Sequence, residues 1–386
     1  MKKISALICV YLCATFFCLS VSAQEFRLIQ DGIEYAEITR EIDKLPVKMN
    51  LLRLDLTKVR LDVVHAMDAA IGLEAVSSMA TRHGAIAAIN SGFFRLDRSI
   101  FAGDSAGVLM IDNRLISESQ NNRIAMFIDN FDQTRTVVNF AHININHIFE
   151  IKRKSINFSG INRERKNDEV IQFTPFFGRT TLTGNDGLEI TVRKGKIVKI
   201  VENAGNSEIP SDGFVISASG KMRDEIASMV KIGRKVKTNT VTPFDLKEGR
   251  YPNEDSTRTT NAFSRSEDIT NGVPQLIRDT KIEITWKEEK TNKAFVETRH
   301  PRTAVAKLKG GKFLMITVDG RSDASAGIGL EDLAKLLLEF GATDAINLDG
   351  GGSTTMFLDG KVVNKPSDKE GERRVSDAIL VFPRKK

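Results

Sequence analysis

The chain has 386 residues, 41% of them hydrophobic and 27% charged, enough to bury one large core or two ordinary ones, and its composition excludes a disordered or collagen-like chain. The formal charge is +6, from 56 Lys+Arg against 50 Asp+Glu, an excess too small and too dispersed to indicate a nucleic-acid partner.

Residues 1–23 read as a secretory signal peptide: Lys2 and Lys3, an apolar run from Ile4 to Leu19, then Val21-Ser22-Ala23 as a small-x-small cleavage site before Gln24. All three cysteines, Cys9, Cys13 and Cys18, lie inside it, so an exported mature chain has neither disulfides nor thiol chemistry. No later segment approaches eighteen consecutive apolar residues, so no membrane span is expected in the mature chain.

From Leu51 to Ala66 the residues alternate apolar and polar around Thr57-Lys58, which predicts strand, turn and strand. Leu73 to His83 has helical spacing with Gly84 as its stop, and Ala85 to Ile89 is a short buried-strand run. Further strands are expected at Gly107–Ile111, Ile124–Ile128 and Thr136–Phe149. The stretch from Ile161 to about Pro243 alternates short apolar runs with turn formers and carries one helix near Lys221–Val230. Lys247 to Asp268, rich in charge and nearly free of aliphatics, reads as an exposed loop or as a lid. Thr303–Leu308 and Phe313–Val318 form a hairpin pattern around Gly310-Gly311. Leu330, Leu333, Ala334, Leu337 and Leu338 give an amphipathic helix stopped by Gly341, and a strand over Asp344–Leu348 runs into a glycine loop. Residues 83–90 and 340–347 share Gly, Ala, Ala, Ile and Asn in register, each after a helical stripe and before a glycine-containing loop. Two related helix-strand-loop units would place Asn90 and Asn347 at matching strand ends facing one cleft; chance likeness of two junctions is the alternative.

Asn347-Leu348-Asp349-Gly350-Gly351-Gly352-Ser353-Thr354 sets a carboxylate at a strand end before three residues without side chains, where a ligand can approach bare amides that form an anion-binding nest. No Gly-Lys-Ser/Thr follows, which rules out a Walker loop. Val318-Asp319-Gly320-Arg321 repeats the logic, and Arg299-His300-Pro301-Arg302-Thr303 concentrates two guanidinium groups and an imidazole before a strand. Gly103-Asp104-Ser105-Ala106-Gly107 matches a nucleophile-elbow pattern, but a strand rather than a helix is expected after it. The five histidines show no zinc spacing and no acidic stretch has calcium-loop spacing, so neither metal nor cofactor is expected.

The string Ala345 to Met356, with Asn364-Lys365-Pro366-Ser367-Asp368 behind it, resembles the hallmark of the phosphodiester glycosidase family. The likeness extends over Asn90-Ser91-Gly92-Phe93-Phe94, Asn271 to Ile277, Arg302 to Val305 and Val318 to Arg321. Ser91 stands where the family usually has a second glycine, and residues 151–268 follow the longer bacterial pattern. The resemblance implies an α+β fold, a mixed β-sheet assembly with a few packing helices and glycine-rich loops at strand ends forming the site. An N-terminal strand region at 24–84 would precede a family domain at 85–386 with a long internal segment at about 151–268.

The implied chemistry is hydrolysis of the anomeric C–O bond of a sugar 1-phosphodiester with an N-acetylglucosamine-like sugar, on an extracytoplasmic glycan. The leaving phosphate is already anionic and needs charge neutralisation more than protonation. Asp349 or Asp319 would act as nucleophile or base, and His300 as proton donor. Arg302, Arg321 and the amides of Gly350, Gly351 and Gly352 would hold phosphate, with Asn90, Thr303 and Ser353 on sugar or phosphate oxygens. Retention and inversion both stay open. A reading from another class is a non-catalytic envelope protein that binds a phosphoglycan. A metal-dependent phosphodiesterase would need clustered His and Asp ligands that the sequence does not show.

Overall fold

The computed structural model describes residues 26–241 and 262–384. The expected signal peptide, and the part of the expected loop or lid up to residue 261, lie outside the described residues. No helix among the described residues is long and apolar enough to cross a membrane.

Four layers make the body of the molecule: helix, sheet, sheet, helix. The larger sheet has eight strands in the order Arg27–Gln30, Ile33–Ile42, Leu45–Asp55, Lys312–Val318, Arg302–Leu308, Ala342–Asn347, Gln275–Arg278 and Lys281–Ile282. Its central strands are apolar on both faces, as strands covered on both sides must be. Val47, Met49, Leu51, Leu314, Ile316, Ala304 and Ala306 pack under the helix Leu330–Glu339, whose Leu330, Leu333, Ala334 and Leu337 are fully buried. Burying each leucine contributes about 1.5–3 kcal/mol. Leu52, Leu54, Met315, Val305 and Ile346 point the other way, into the core shared with the second sheet. That sheet runs Lys361–Val362, Met356–Leu358, Ala87–Asn90, Asp377–Pro383, Val59–His65, and its far face carries the helix Val76–His83 through Val76, Met79 and Ala80. Gly84 ends that helix in the left-handed region, φ 72°, with its N–H on Ala80 and Thr81 carbonyls, the ordinary use of glycine at a helix end.

Both expected helix-strand units are present and occupy equivalent layers. In each, the strand after the helix lies between two antiparallel neighbours: Ala87–Asn90 between Met356–Leu358 and Asp377–Pro383, Ala342–Asn347 between Arg302–Leu308 and Gln275–Arg278. The strand-turn-strand expected over 51–66 is also found, as Leu45–Asp55 and Val59–His65, but its halves belong to different sheets. The run expected as one strand over 136–149 is broken at residues 143–145 into Val137–His142 and Asn146–Ile151, again in two sheets. The hairpin at Gly310-Gly311 pairs Arg302 with Val318 and Lys307 with Phe313.

A third sheet, Arg114–Ser117, Leu109–Ile111, Asp268–Asn271, Ile124–Asp129 and Val137–His142, extends the central core. The internal segment from Asn146 builds two small sheets and the helix Gly220–Ala227 around a core of its own, with Phe149, Leu188, Ile190, Ile216 and Ile226. The expected mixed sheet is a minor feature. Among the described residues the ladders are antiparallel except Gly160–Ile161 beside Val170–Phe173, because short turns rather than crossover helices join most strands.

Candidate active site

At one end of the central core the face of the large sheet turns polar. Asn50, Thr317 and Thr303 stand side by side on adjacent strands, and Asn90 reaches across from the second sheet. Asn90 is 1% exposed. Its Oδ1 accepts from Thr303 Oγ1 (2.8 Å) and from Thr355 N (3.1 Å), while its Nδ2 donates to the Asp349 carbonyl at 2.6 Å. The Asp349 amide in turn donates to the Ser91 carbonyl at 3.0 Å. Asn90 and Asn347 thus end equivalent strands and both serve the same loop: Asn347 donates Nδ2 to the Val273 and Leu348 carbonyls, at 2.7 and 2.8 Å.

Asp349 is half-buried. Burial raises its carboxyl to about 6, against the Ser353 hydroxyl, the Gly350 amide and the Arg373 charge, which favour ionisation; the negative charge of Asp377 adds to the rise. Gly350 N donates to Asp349 Oδ1 at 2.9 Å. Ser353 is 1% exposed, and its hydroxyl sits beside this carboxylate without reaching hydrogen-bonding geometry.

The glycine loop is shaped by what presses on it. A Cβ at Gly350 would lie 2.8 Å from the Pro301 carbonyl, one at Gly351 (φ 63°) 3.0 Å from Arg321 Nη2, and one at Gly352 would collide with Arg373 Nη2 and Asp368 Oδ1. Two guanidinium groups therefore lie against the loop, Arg373 held bidentate by Asp368 at 2.7 and 3.0 Å and Arg321 exposed, touching Ser367 Oγ at 3.3 Å. The expected nest of free amides is largely consumed. Gly351 N donates to Pro301 O, and Ser353 and Thr354 close a 3-10 turn on Gly350 and Gly351; the Gly352 amide is the loop donor outside these bonds.

Arg302 is 2% exposed. Its Nε donates to the Ile328 carbonyl, its Nη2 to those of Phe295 and Thr298, and its guanidinium lies 5.1 Å from the Phe295 ring centre. Only Nη1 remains for a ligand, because a buried guanidinium must satisfy its donors locally. Burial, then Arg321, brings Arg302 down to about 10. Burial, then Arg302 and Arg321, lowers the His300 pKa from the ordinary imidazole value. Neither Arg302 nor Arg321 has an ion-pair partner among the described residues. These two guanidinium groups make a cationic pole, with the His300 imidazole beside them, bounded by Phe93 and Phe295, whose rings meet edge to face at 6.1 Å.

Asp319 occupies a different position from Asp349. It is 3% exposed, and Oδ1 accepts from Lys365 N (3.1 Å) and Asn364 Nδ2 (3.3 Å), tying the loop after Arg302–Leu308's partner strand to the segment behind the glycine loop. Burial raises its pKa, with those two donors opposing. Its Oδ2 has no partner; nor do the buried atoms His300 Nδ1, Asn347 Oδ1, Ser353 Oγ, Thr354 Oγ1 and Thr355 Oγ1. Buried polar atoms are ordinarily hydrogen-bonded, so their concentration here makes this the candidate site.

Three participants were not legible from sequence: Arg373, Asp377 and Asn364 as the link to Asp319. Asp377 is fully buried and accepts from Gly92 N (3.1 Å), Thr270 Oγ1 (3.0 Å) and Ser376 Oγ (2.5 Å). Ser91 joins the same group through Thr270, Oγ to Oγ1 2.8 Å. No group of three or more His, Cys, Asp or Glu among the described residues has a metal-holding arrangement.

A family model described as phosphodiester glycosidase matches residues 186–382. The N-acetylglucosamine-1-phosphodiester alpha-N-acetylglucosaminidase of Bos taurus is 34% identical over 151 residues, 35% of this chain and 28% of the bovine protein. The human protein of the same name is 33% identical over 132 residues, 32% of this chain and 25% of that one. The SPbeta prophage-derived protein YomE of Bacillus subtilis is 38% identical over 106 residues, 28% of this chain and 16% of YomE. The chain thus spans under a third of the length of these relatives. Among solved structures, a protein of Synechocystis superposes with a TM-score of 0.77 at 21% identity, covering 92% of this chain and 63% of that one. A protein of Burkholderia pseudomallei gives 0.72 at 20% identity, covering 88% and 74%. Both show the same fold.

Proposed function

This chain belongs to the phosphodiester glycosidase family, and we propose from that premise that it hydrolyses the anomeric C–O bond of a sugar 1-phosphodiester, with an N-acetylglucosamine-like sugar carried on an extracytoplasmic glycan. The observation that carries the reading is the pairing of one half-buried carboxylate, Asp349, with a cationic pole on the same glycine loop. In this reaction the anomeric C–O bond breaks, its electron pair leaves with the phosphate monoester, and water supplies hydroxyl to the sugar and the balancing proton. Arg321 suits neutralising the leaving phosphate, presenting a planar fork that matches its oxygens, while Arg373, whose Nε and Nη2 are held by Asp368, keeps Nη1 for it. Asp349 acts on the sugar side, as nucleophile or as base toward water. Asp319, closed off from solvent and committed to Asn364 and Lys365, is a positioning residue. The edge-to-face Phe93 and Phe295 offer an apolar wall for a sugar face. Export through residues 1–23 belongs to the same proposal, and N-terminal sequencing of the secreted chain should begin at Gln24.

Incubation with an alpha-N-acetylglucosamine phosphodiester in oxygen-18 water tests the chemistry. Label in the sugar is expected. Label in the phosphate would mean P–O cleavage and would overturn the reading, as would turnover that a chelator abolishes. Binding without turnover, unaffected by Asp349→Asn, would favour a phosphoglycan-binding protein.

A further inference from the structure

Behind the loop that carries Phe93 lies a second cavity, of about 430 Å³, between residues 95–107 and 117–120 on one side and 163–169 of the internal segment on the other. It falls in the size range of small-ligand sites, about 300–1,000 Å³, and at the junction of two cores, a common place for them. Its walls are built and not a loose gap. Glu118 accepts from Ile161 N (2.9 Å) and Arg163 Nε (2.6 Å), Arg163 also holds Glu169 at 2.8 and 3.0 Å, and Arg95 holds Glu164 at 2.5 Å. The other polar groups that line the space are the Asp104 carboxyl, the Gln120 amide and the Lys166 ammonium, the last beside Glu169. Asp104 is further set apart by burial and by Glu118, which raise its pKa to about 7.

We propose that this cleft is a subsite for a neutral, hydroxyl-rich sugar residue, the part of a glycan that adjoins the phosphodiester; the adjoining role rests on the function proposed above. The lining holds four acids, Asp104, Glu118, Glu164 and Glu169, against three bases, Arg95, Arg163 and Lys166, a balance that disfavours an anion, and every acid but Asp104 is already held by an arginine, which leaves little for a cation. No aromatic ring lines the space, which disfavours a nucleobase, and the surface is too polar for an acyl chain. A carboxyl, a primary amide and serine hydroxyls instead match the mixed donor and acceptor pattern of sugar hydroxyls. The cleft also touches the reacting loop. Ser105 Oγ accepts from Asn271 Nδ2 at 3.2 Å, and Asn271 Oδ1 accepts from Phe93 N at 3.1 Å, two residues from Ser91, whose carbonyl holds Asp349. The strand Leu109–Ile111 that follows removes the nucleophile-elbow reading of Ser105 and leaves it as a wall of this cleft.

The test titrates the full chain carrying Asp349→Asn with N-acetylglucosamine, N,N′-diacetylchitobiose, cellobiose and maltose by calorimetry, with inorganic phosphate as the anion control. At least one neutral sugar should bind. Adding Asp104→Asn or Gln120→Trp should weaken that binding by about tenfold or more, the effect of losing a good hydrogen bond or filling the space, without loss of Tm and at unchanged phosphate affinity. No sugar binding, or sugar binding that survives both variants, overturns the proposal; so does phosphate binding that both variants abolish. Failure of the hydrolysis reading shows separately in the oxygen-18 experiment, since sugar binding lost on Gln120→Trp with no turnover would leave the cleft standing.

Discussion

Asp349→Asn should abolish turnover and, at alkaline pH, make the protein more stable. In the folded chain the Asp349 carboxyl is raised to about 6 from the ordinary 3.8, so holding it ionised costs stability. At about 1.36 kcal/mol per pKa unit, the cost is about 3 kcal/mol. The sign follows from proton linkage. Below pH about 3.8 the group is protonated in folded and unfolded chains alike and costs nothing; between 3.8 and 6 the unfolded chain loses its proton first, and stability falls as pH rises; above 6 the full cost is present. Asparagine removes the charge and keeps an oxygen to accept from Gly350 N. Denaturant unfolding of both proteins at pH 4, 5, 6, 7 and 8 should show a gain for Asp349→Asn that grows with pH and levels near 3 kcal/mol, about 4 °C in Tm for a chain of this size. A gain independent of pH, or a loss at pH 8, would refute the account of this carboxylate as a strained, functional one.

Removing the charge of Arg321 or Arg373 by substitution with Gln should lower kcat/KM on a sugar phosphodiester by about 10²–10³, the scale of one lost stabiliser of developing charge; a change confined to stability would assign these side chains to the fold alone. If ionised Asp349 is the acting form, the acid limb of the rate profile should fall near pH 6, and Arg373→Gln should move it upward, because Arg373 now favours ionisation; a limb that moves down would reject that coupling. Asn90→Ala leaves Thr303, Thr355 and the Asp349 carbonyl without their shared partner and should cost about 2–4 kcal/mol in denaturant unfolding. Gly352→Ala should displace the Arg373–Asp368 pair and shift the acid limb in the same direction as Arg373→Gln, with a smaller effect on Tm than Asn90→Ala.

What the residues reveal on their own follows range. The helices Val76–His83 and Leu330–Glu339, each with a glycine after it, are written in local spacing and so are legible. Sheet membership is not: nothing in Leu51–Ala66 says that its two strands part company at Thr57, because the partners, Lys312–Val318 and Asp377–Pro383, lie hundreds of residues away. In the site, Asp349 and its glycines stand out because three consecutive glycines after an acid have few structural excuses. Arg302 reads like a free cation, yet burial turns it into a brace for the carbonyls of Phe295, Thr298 and Ile328. Arg373 shows the reverse. It sits in a charged stretch that resembles any solvated face, and only the fold brings it against Gly352.

The last described strand, Asp377–Pro383, fills the gap between Ala87–Asn90 and Val59–His65. The second sheet therefore cannot close until residues 377–383 have been made, since they supply the strand between two that come far earlier in the sequence. Loop closure over such separations is slow and comes before the contacts that reward it. Folding of this layer should wait for Asp377–Pro383, with Asp377 reaching the Gly92 amide, and so completing the support behind Asp349, in the same event.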